Sequence, residues 1–227
     1  LGSRAKVAIL LEIISEASLS FRLNDLSRED RKMAEQLTSD TIVDVIADIF
    51  ERRGADSYLG EDVTMSEHML QAAQCAEQAG ASEDMVAAAL LHDIGHYTGE
   101  FPVDTLEKGM NNYHDETGAA ILQKFFPALV VDCVRYHVAA KRYLCATRDD
   151  YFGRLSDASV HSLNLQGGPM DDDEVAEFEK NSNLDSIVNI RLWDDEGKVA
   201  GIETPSFADY TPLLRRVIQS HSDATAA

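Results

Sequence analysis

The stretch Val86-Ala87-Ala88-Ala89-Leu90-Leu91-His92-Asp93-Ile94-Gly95-His96 decides how the rest of the chain is read. An apolar helical run ends on an adjacent histidine and aspartate, which are costly to desolvate unless something pairs with them, and a metal ion is the commonest such partner. Four residues separate His92 from His96, so on a continuous helix the two share a face. Asp93 then points about 100° round, where a carboxylate is able to bridge two ions. A His-Asp pair alone is more often a helix-end salt bridge than a ligand pair, so the decision passes to donors elsewhere.

Working outward, His68, His114, His137 and Asp194 each fall within or at the end of an expected helix. Singly, each histidine is an ordinary core or surface residue. Together with His92 and Asp93 they make four histidines and two aspartates, six nitrogen and oxygen donors. That is enough for two ions sharing Asp93, and there is no thiolate among them to favour structural zinc.

The helices around these donors follow from periodicity and caps. Residues 5 to 16 read as a short helix, and Ser27 with Asp30 as the start of a polar helix through Leu37. Ile42, Val45, Ile46, Ile49 and Phe50 form an apolar stripe stopped by Gly54. Thr64 caps a helix carrying His68 toward Gly80, and Ser82 opens the helix that ends at His92-Asp93. His114 starts a helix stopped by Pro127, and Ala128 to Leu144 carries His137 and Lys141. Leu155 to Leu165, an acidic helix from Asp171, Leu184 to Trp193, a turn at Asp195-Glu196-Gly197-Lys198 and a helix near Tyr210 to Ser220 complete the chain. With no strand alternation and no internal repeat, the expected fold class is all-α.

Composition narrows the function classes. The 227 residues suffice for one domain from about residue 39, preceded by an extension over residues 1 to 38. The opening Leu1-Gly2-Ser3-Arg4, lacking an initiator methionine, reads as an appended remnant. Lys+Arg of 20 against Asp+Glu of 40 gives a formal net charge of -20, which disfavours nucleic acid and anionic membranes as partners. A local basic cluster can still receive an anion, because net charge is screened over roughly 8 Å at physiological salt. Cys75, Cys133 and Cys145 are odd in number and widely spaced, consistent with reduced thiols and a cytoplasmic location. No apolar run approaches a membrane span. Oligomeric state is left open.

Several longer stretches carry a resemblance. Tyr58-Leu59-Gly60-Glu61 ahead of Glu67-His68, Leu90-Leu91-His92-Asp93-Ile94-Gly95-His96, His137-Val-Ala-Ala-Lys141-Arg-Tyr-Leu144, Leu155-Ser-Asp-Ala-Ser159, Gln166-Gly-Gly-Pro-Met170 and Arg191-Leu-Trp-Asp194 resemble the HD-domain superfamily of helical metalloproteins. The likeness is to its phosphonate-degrading oxygenase branch, itself similar to myo-inositol oxygenase, and covers roughly residues 40 to 220. It implies a mixed-valent Fe(II)/Fe(III) di-iron centre held by His68, His92, bridging Asp93, His114, His137 and Asp194. The implied reaction uses O2 to cleave the carbon-phosphorus bond of a 1-hydroxyphosphonate, leaving phosphate and a carboxylic acid. Lys141 and Arg191, one helical turn from His137 and Asp194, suit the anionic group by charge as well. The resemblance adds Ser159 and Gln166 as phosphonate contacts, His96 beside the centre, and Tyr58 with Glu61 as a gate that yields once substrate arrives.

Family substrates carry an amino or trimethylammonium group at C2. Asp62, with Asn112 and Tyr113 in the loop before His114, is the expected wall for that cation. The competing readings are a metal-dependent phosphohydrolase acting on a phosphate ester, in which a metal-activated hydroxide attacks phosphorus, and a non-enzymatic helical module. The complete ligand set opposes the latter.

Overall fold

The computed structural model describes residues 38–58, 60–98 and 114–226. The expected helices at residues 5 to 16 and 27 to 37, and the loop containing Asn112 and Tyr113, lie outside the described residues. The first described helix, α1 (Ile42–Arg53), buries Ile42, Val43, Ile46 and Phe50 and is capped at Gly54. Val43 takes the core position that the sequence stripe assigned to Val45.

A loop then returns to α2 (Met65–Gln78). Its tight turn sets Glu61 N–H on the Tyr58 carbonyl at 2.7 Å and puts Gly60 at φ 87°, a conformation that glycine adopts without a Cβ penalty. An isolated bridge, Ser57 to Thr64, closes the loop. Thr64 and Glu67 form a reciprocal capping box, so His68 leaves a fixed first turn of α2. Ser82 caps α3 (Glu83–Leu91), which is buried along nearly its whole length and ends at His92.

The sequence expectation of one continuous helix face through His96 is corrected here. The helix stops at His92, and a separate short helix, α4 (Ile94–Thr98), begins two residues later. The His92 ring turns back to donate from Nδ1 to the Ala89 carbonyl at 2.8 Å, whereas His96 stacks on His114 with centroids 3.8 Å apart. The two imidazoles therefore serve different places.

After α5 (His114–Leu122), the 20-residue α6 (Ala128–Thr147) forms the spine, packing on α3, α5 and α9 (Leu184–Glu196). Between them lie a short 3-10 turn (Phe152–Arg154), α7 (Asp157–Leu165) capped by Ser156, and the exposed acidic α8 (Asp172–Phe178). The turn expected from Asp195 is helical, since α9 runs through Glu196 and ends at Gly197. The last helix, α10 (Phe207–Ala226), covers α1 and α3. The fold is all-α, with no strand among the described residues. No helix among them is long and apolar enough to cross a membrane, and all three cysteines are free thiols.

Candidate metal centre

Four helix termini and the middle of α6 bring the expected donors together. His68 enters from the start of α2, His92 and Asp93 from the end of α3, His114 from the start of α5, His137 from α6 and Asp194 from the end of α9. All six are buried.

They divide into two groups about the Asp93 carboxylate. Its Oδ2 lies 3.6 Å from His68 Nε2 and 3.5 Å from His92 Nε2, while its Oδ1 lies 3.2 Å from both His114 Nε2 and His137 Nε2. Asp194 Oδ1 adds a donor to the first group only, 3.5 Å from His68 and 4.0 Å from His92. One carboxylate oxygen thus faces each histidine pair.

The tautomers make a cation the natural occupant. His68, His92 and His137 each set Nδ1 against a carbonyl, of Gly197, Ala89 and Val134, at 2.8, 2.8 and 2.7 Å. A carbonyl only accepts, so Nδ1 carries a proton in each, and each ring in its neutral form aims a bare Nε2 lone pair inward. His68 Nε2 and His92 Nε2 then face each other at 3.0 Å, as do His114 Nε2 and His137 Nε2. In the His68/His92 pair the opposed lone pairs repel at that separation unless a positive charge lies between them. Asp93 Oδ1 and Asp194 Oδ1 are buried and accept no hydrogen bond of good geometry. The donor set therefore fits two metal ions, with nitrogen and oxygen donors throughout.

Electrostatics agree. Burial pushes the His92 imidazole down to about 4, leaving it neutral near pH 7. Burial opposes ionisation of Asp93, but His92, His96 and His114 outweigh it and hold the carboxyl well below the usual range. Asp194 is held down likewise, with Arg191 and Lys198 outweighing its burial. For His137 burial favours the neutral ring, yet the charge of Asp93 close to Nε2 raises its pKa above the usual 6.5. A proton on His137 competes with metal in the metal-free protein. Metal affinity is therefore expected to be weakest in acid, to rise as pH passes upward through the His137 titration and then to level, with protons released on loading. Zinc titrations at several pH values check this; an affinity flat from pH 5.5 to 8 would contradict it.

Beside the centre opens a cleft of about 410 Å³ with a basic wall. Lys141 Nζ donates to Ser162 Oγ at 2.7 Å; burial, with Arg191 nearby, pulls its pKa down to about 7. Lys198 stands 3.2 Å from both Ser159 Oγ and Asp194 Oδ1. Gln166 lines the same cleft and its buried Oε1 has no hydrogen-bond partner. Tyr58 stacks on His68, centroids 4.0 Å apart, and burial with the charges of Asp93 and Asp194 raises its phenol pKa well above 10. Glu61 accepts from Ser156 Oγ at 2.5 Å, tying the Tyr58 loop to the start of α7.

His96, Lys141, Ser159, Gln166, Arg191, Tyr58 and Glu61 all line the cleft. Asp62 does not: it is exposed, because the turn after Gly60 directs Glu61 inward and its neighbour out. Lys198 and Ser162 were missed. The signal for Lys198 was its place four residues after Asp194, hidden when the segment was read as a turn.

A family model described as HD domain matches residues 65–166. The chain is 54% identical over 189 residues to the 1-hydroxy-2-(trimethylamino)ethylphosphonate dioxygenase (glycine-betaine-forming) of Leisingera caerulea, covering 83% of this chain and 96% of the relative. It is 43% identical over 160 residues to the hydroxymethylphosphonate dioxygenase of Gimesia maris, covering 68% and 77%, and 34% identical over 160 residues to the uncharacterized protein L432 of Acanthamoeba polyphaga mimivirus, covering 69% and 73%. The match across nearly the whole of the first relative, together with the donor set around Asp93, places this chain in the HD-domain family of phosphonate dioxygenases.

Proposed function

We propose that the protein cleaves the carbon-phosphorus bond of 1-hydroxy-2-(trimethylammonio)ethylphosphonate with O2, releasing phosphate and glycine betaine, at two irons held by His68, His92, Asp93, His114, His137 and Asp194. The observation that carries the reading is the pairing of four Nε2 atoms about the two oxygens of Asp93 beside a cationic cleft. The extent and degree of identity to the Leisingera caerulea enzyme favours the trimethylated over the free amine. The conversion balances with O2 alone: the carbon-phosphorus bond breaks, C1 becomes a carboxylate and phosphorus leaves as phosphate, with no co-reductant. The irons, when bound, supply the redox chemistry with O2.

The protein's own groups then have separable tasks. Lys141, Lys198 and the amide of Gln166 give the phosphonate cationic and hydrogen-bond donors, with Ser159 and Ser162 as hydroxyl partners. His96, stacked on His114, fixes that ring and borders the substrate. Tyr58 occupies the space over His68 until substrate displaces it with Glu61, which keeps the centre closed to oxygen between turnovers. The bulk negative charge and free thiols suit a cytoplasmic enzyme.

Iron-loaded, reduced protein given this phosphonate or its free-amine analogue tests the reading by oxygen uptake and phosphate release. Matched consumption and release with the trimethylated compound is expected; oxygen-independent hydrolysis of phosphate esters, with silence toward both phosphonates, would establish the phosphohydrolase instead. Lys141→Ala should raise KM for the phosphonate roughly tenfold to a hundredfold, the range of a lost charge-assisted hydrogen bond, with metal content unchanged. An unaltered KM would remove Lys141 from the phosphonate site. Tyr58→Phe should speed oxidation of the reduced centre without substrate, followed by stopped-flow absorbance; a wild-type rate would remove the gate.

A further inference from the structure

Arg191 reaches the cleft, but most of its guanidinium is committed elsewhere. Nη1 donates to Asp194 Oδ2 at 2.6 Å, Nη2 donates to Asp195 Oδ1, and Nε donates to Tyr151 Oη at 3.0 Å with Asp195 Oδ2 at 3.3 Å. Tyr151 Oη in turn donates to Asp195 Oδ2 at 2.5 Å, closing a ring of three side chains. Tyr151 and Arg191 are 2% and 4% exposed, and Tyr151 packs with Leu144 and Val188, so neither side chain has room to wander.

This arrangement answers a physical difficulty. A buried guanidinium beside a cation site opposes loading of that site, and Lys198 adds a second positive charge 3.2 Å from Asp194. Asp195 contacts both cations, Arg191 through the ring and Lys198 at 3.6 Å, so two carboxylates balance two cations. The pull of Arg191 on Asp194 Oδ2 then fixes which oxygen, Oδ1, faces His68 and His92.

We propose that Tyr151 and Asp195 are positioning residues which, through Arg191, orient Asp194 as a ligand of the His68/His92 site and cancel the guanidinium charge that would otherwise resist the ion. Arg191 serves the metal before it serves the phosphonate. The inference rests on the two-metal reading above. It is distinct from it, because it assigns the ring to one site of the two.

The test is a zinc titration of metal-free full-length protein by calorimetry, comparing wild type with Tyr151→Phe and Asp195→Asn, followed by KM for the trimethylated phosphonate at saturating iron. Wild type should bind two zinc ions per chain. Tyr151→Phe, which keeps the charges and the packing, should weaken one of them about tenfold, and Asp195→Asn, which leaves a guanidinium unbalanced, toward a hundredfold, the range for partners that orient metal ligands. The other site and KM should stay near wild type. Unchanged zinc affinity in both variants, equal weakening of both sites, or a raised KM with normal zinc binding would each overturn the assignment. Wild type that binds no zinc would overturn the metal centre and this inference together.

Discussion

Asp93→Asn should lose both metals at once. The substitution keeps the size of the side chain but removes its charge and replaces one of its two oxygens by an amide nitrogen, so no orientation leaves an anionic oxygen facing both the His68/His92 and the His114/His137 pairs. The loss in affinity should exceed the roughly 10- to 100-fold typical of groups that merely orient ligands, and turnover should fall with it. Stability should fall as well. The surrounding imidazoles outweigh burial and hold the Asp93 carboxyl well below its usual range, so its charge favours the folded chain near pH 7 and the metal-free variant should melt below metal-free wild type. Metal analysis and paired melting curves check this; a variant retaining two ions and full activity would remove Asp93 as the shared ligand.

Gly95→Ala should damage the fold through packing alone. A Cβ on Gly95 would stand 1.9 Å from the His114 carbonyl oxygen and 2.9 Å from Gly118 N, both backbone atoms that no rotamer change relieves. Gly118 is itself hemmed in by Val134 and Ile94, so α4 and α5 cross through a glycine contact and must separate to admit the methyl group. Overpacking of this kind costs about 3 kcal/mol, equivalent to a melting temperature lower by roughly 6–12 °C in a chain this size. The same separation would part His96 from His114 and loosen the second metal site. Gly153→Ala, whose Cβ would meet nothing within 4 Å, is the control and should melt as wild type. Equal melting of all three proteins would show the contact to be compliant.

The sequence disclosed most where local rules act alone. Thr64 and Ser82 each sit where a side-chain oxygen satisfies an exposed helix N–H, and both cap in the structure as read. The convergence of the six donors was legible from their number, since four histidines and two aspartates, five of them at helix ends and His137 within α6, have few uses that combine. What periodicity could not convey was the break after His92: the cap residue itself stays in a helix-like conformation, so the spacing looks continuous although the helix ends there. The same limit hid Lys198. The helix past Asp194 stops at Gly197, whose carbonyl accepts from His68 Nδ1 at 2.8 Å, a contact between segments far apart in sequence. Nothing in the sequence singled out Tyr151, and only the fold sets it against Arg191 and Asp195.

The enclosure of the donors separates how tightly an ion is held from how often it can leave. His68 and His92 have no exposed surface and Asp93 only 1%, with the Tyr58 ring laid over His68 and its loop fastened through Glu61 to Ser156. An ion in the first site departs only when part of this cover opens, so its residence time follows the frequency of a local opening. Uptake and loss of an ion at that site should then both wait on the same opening.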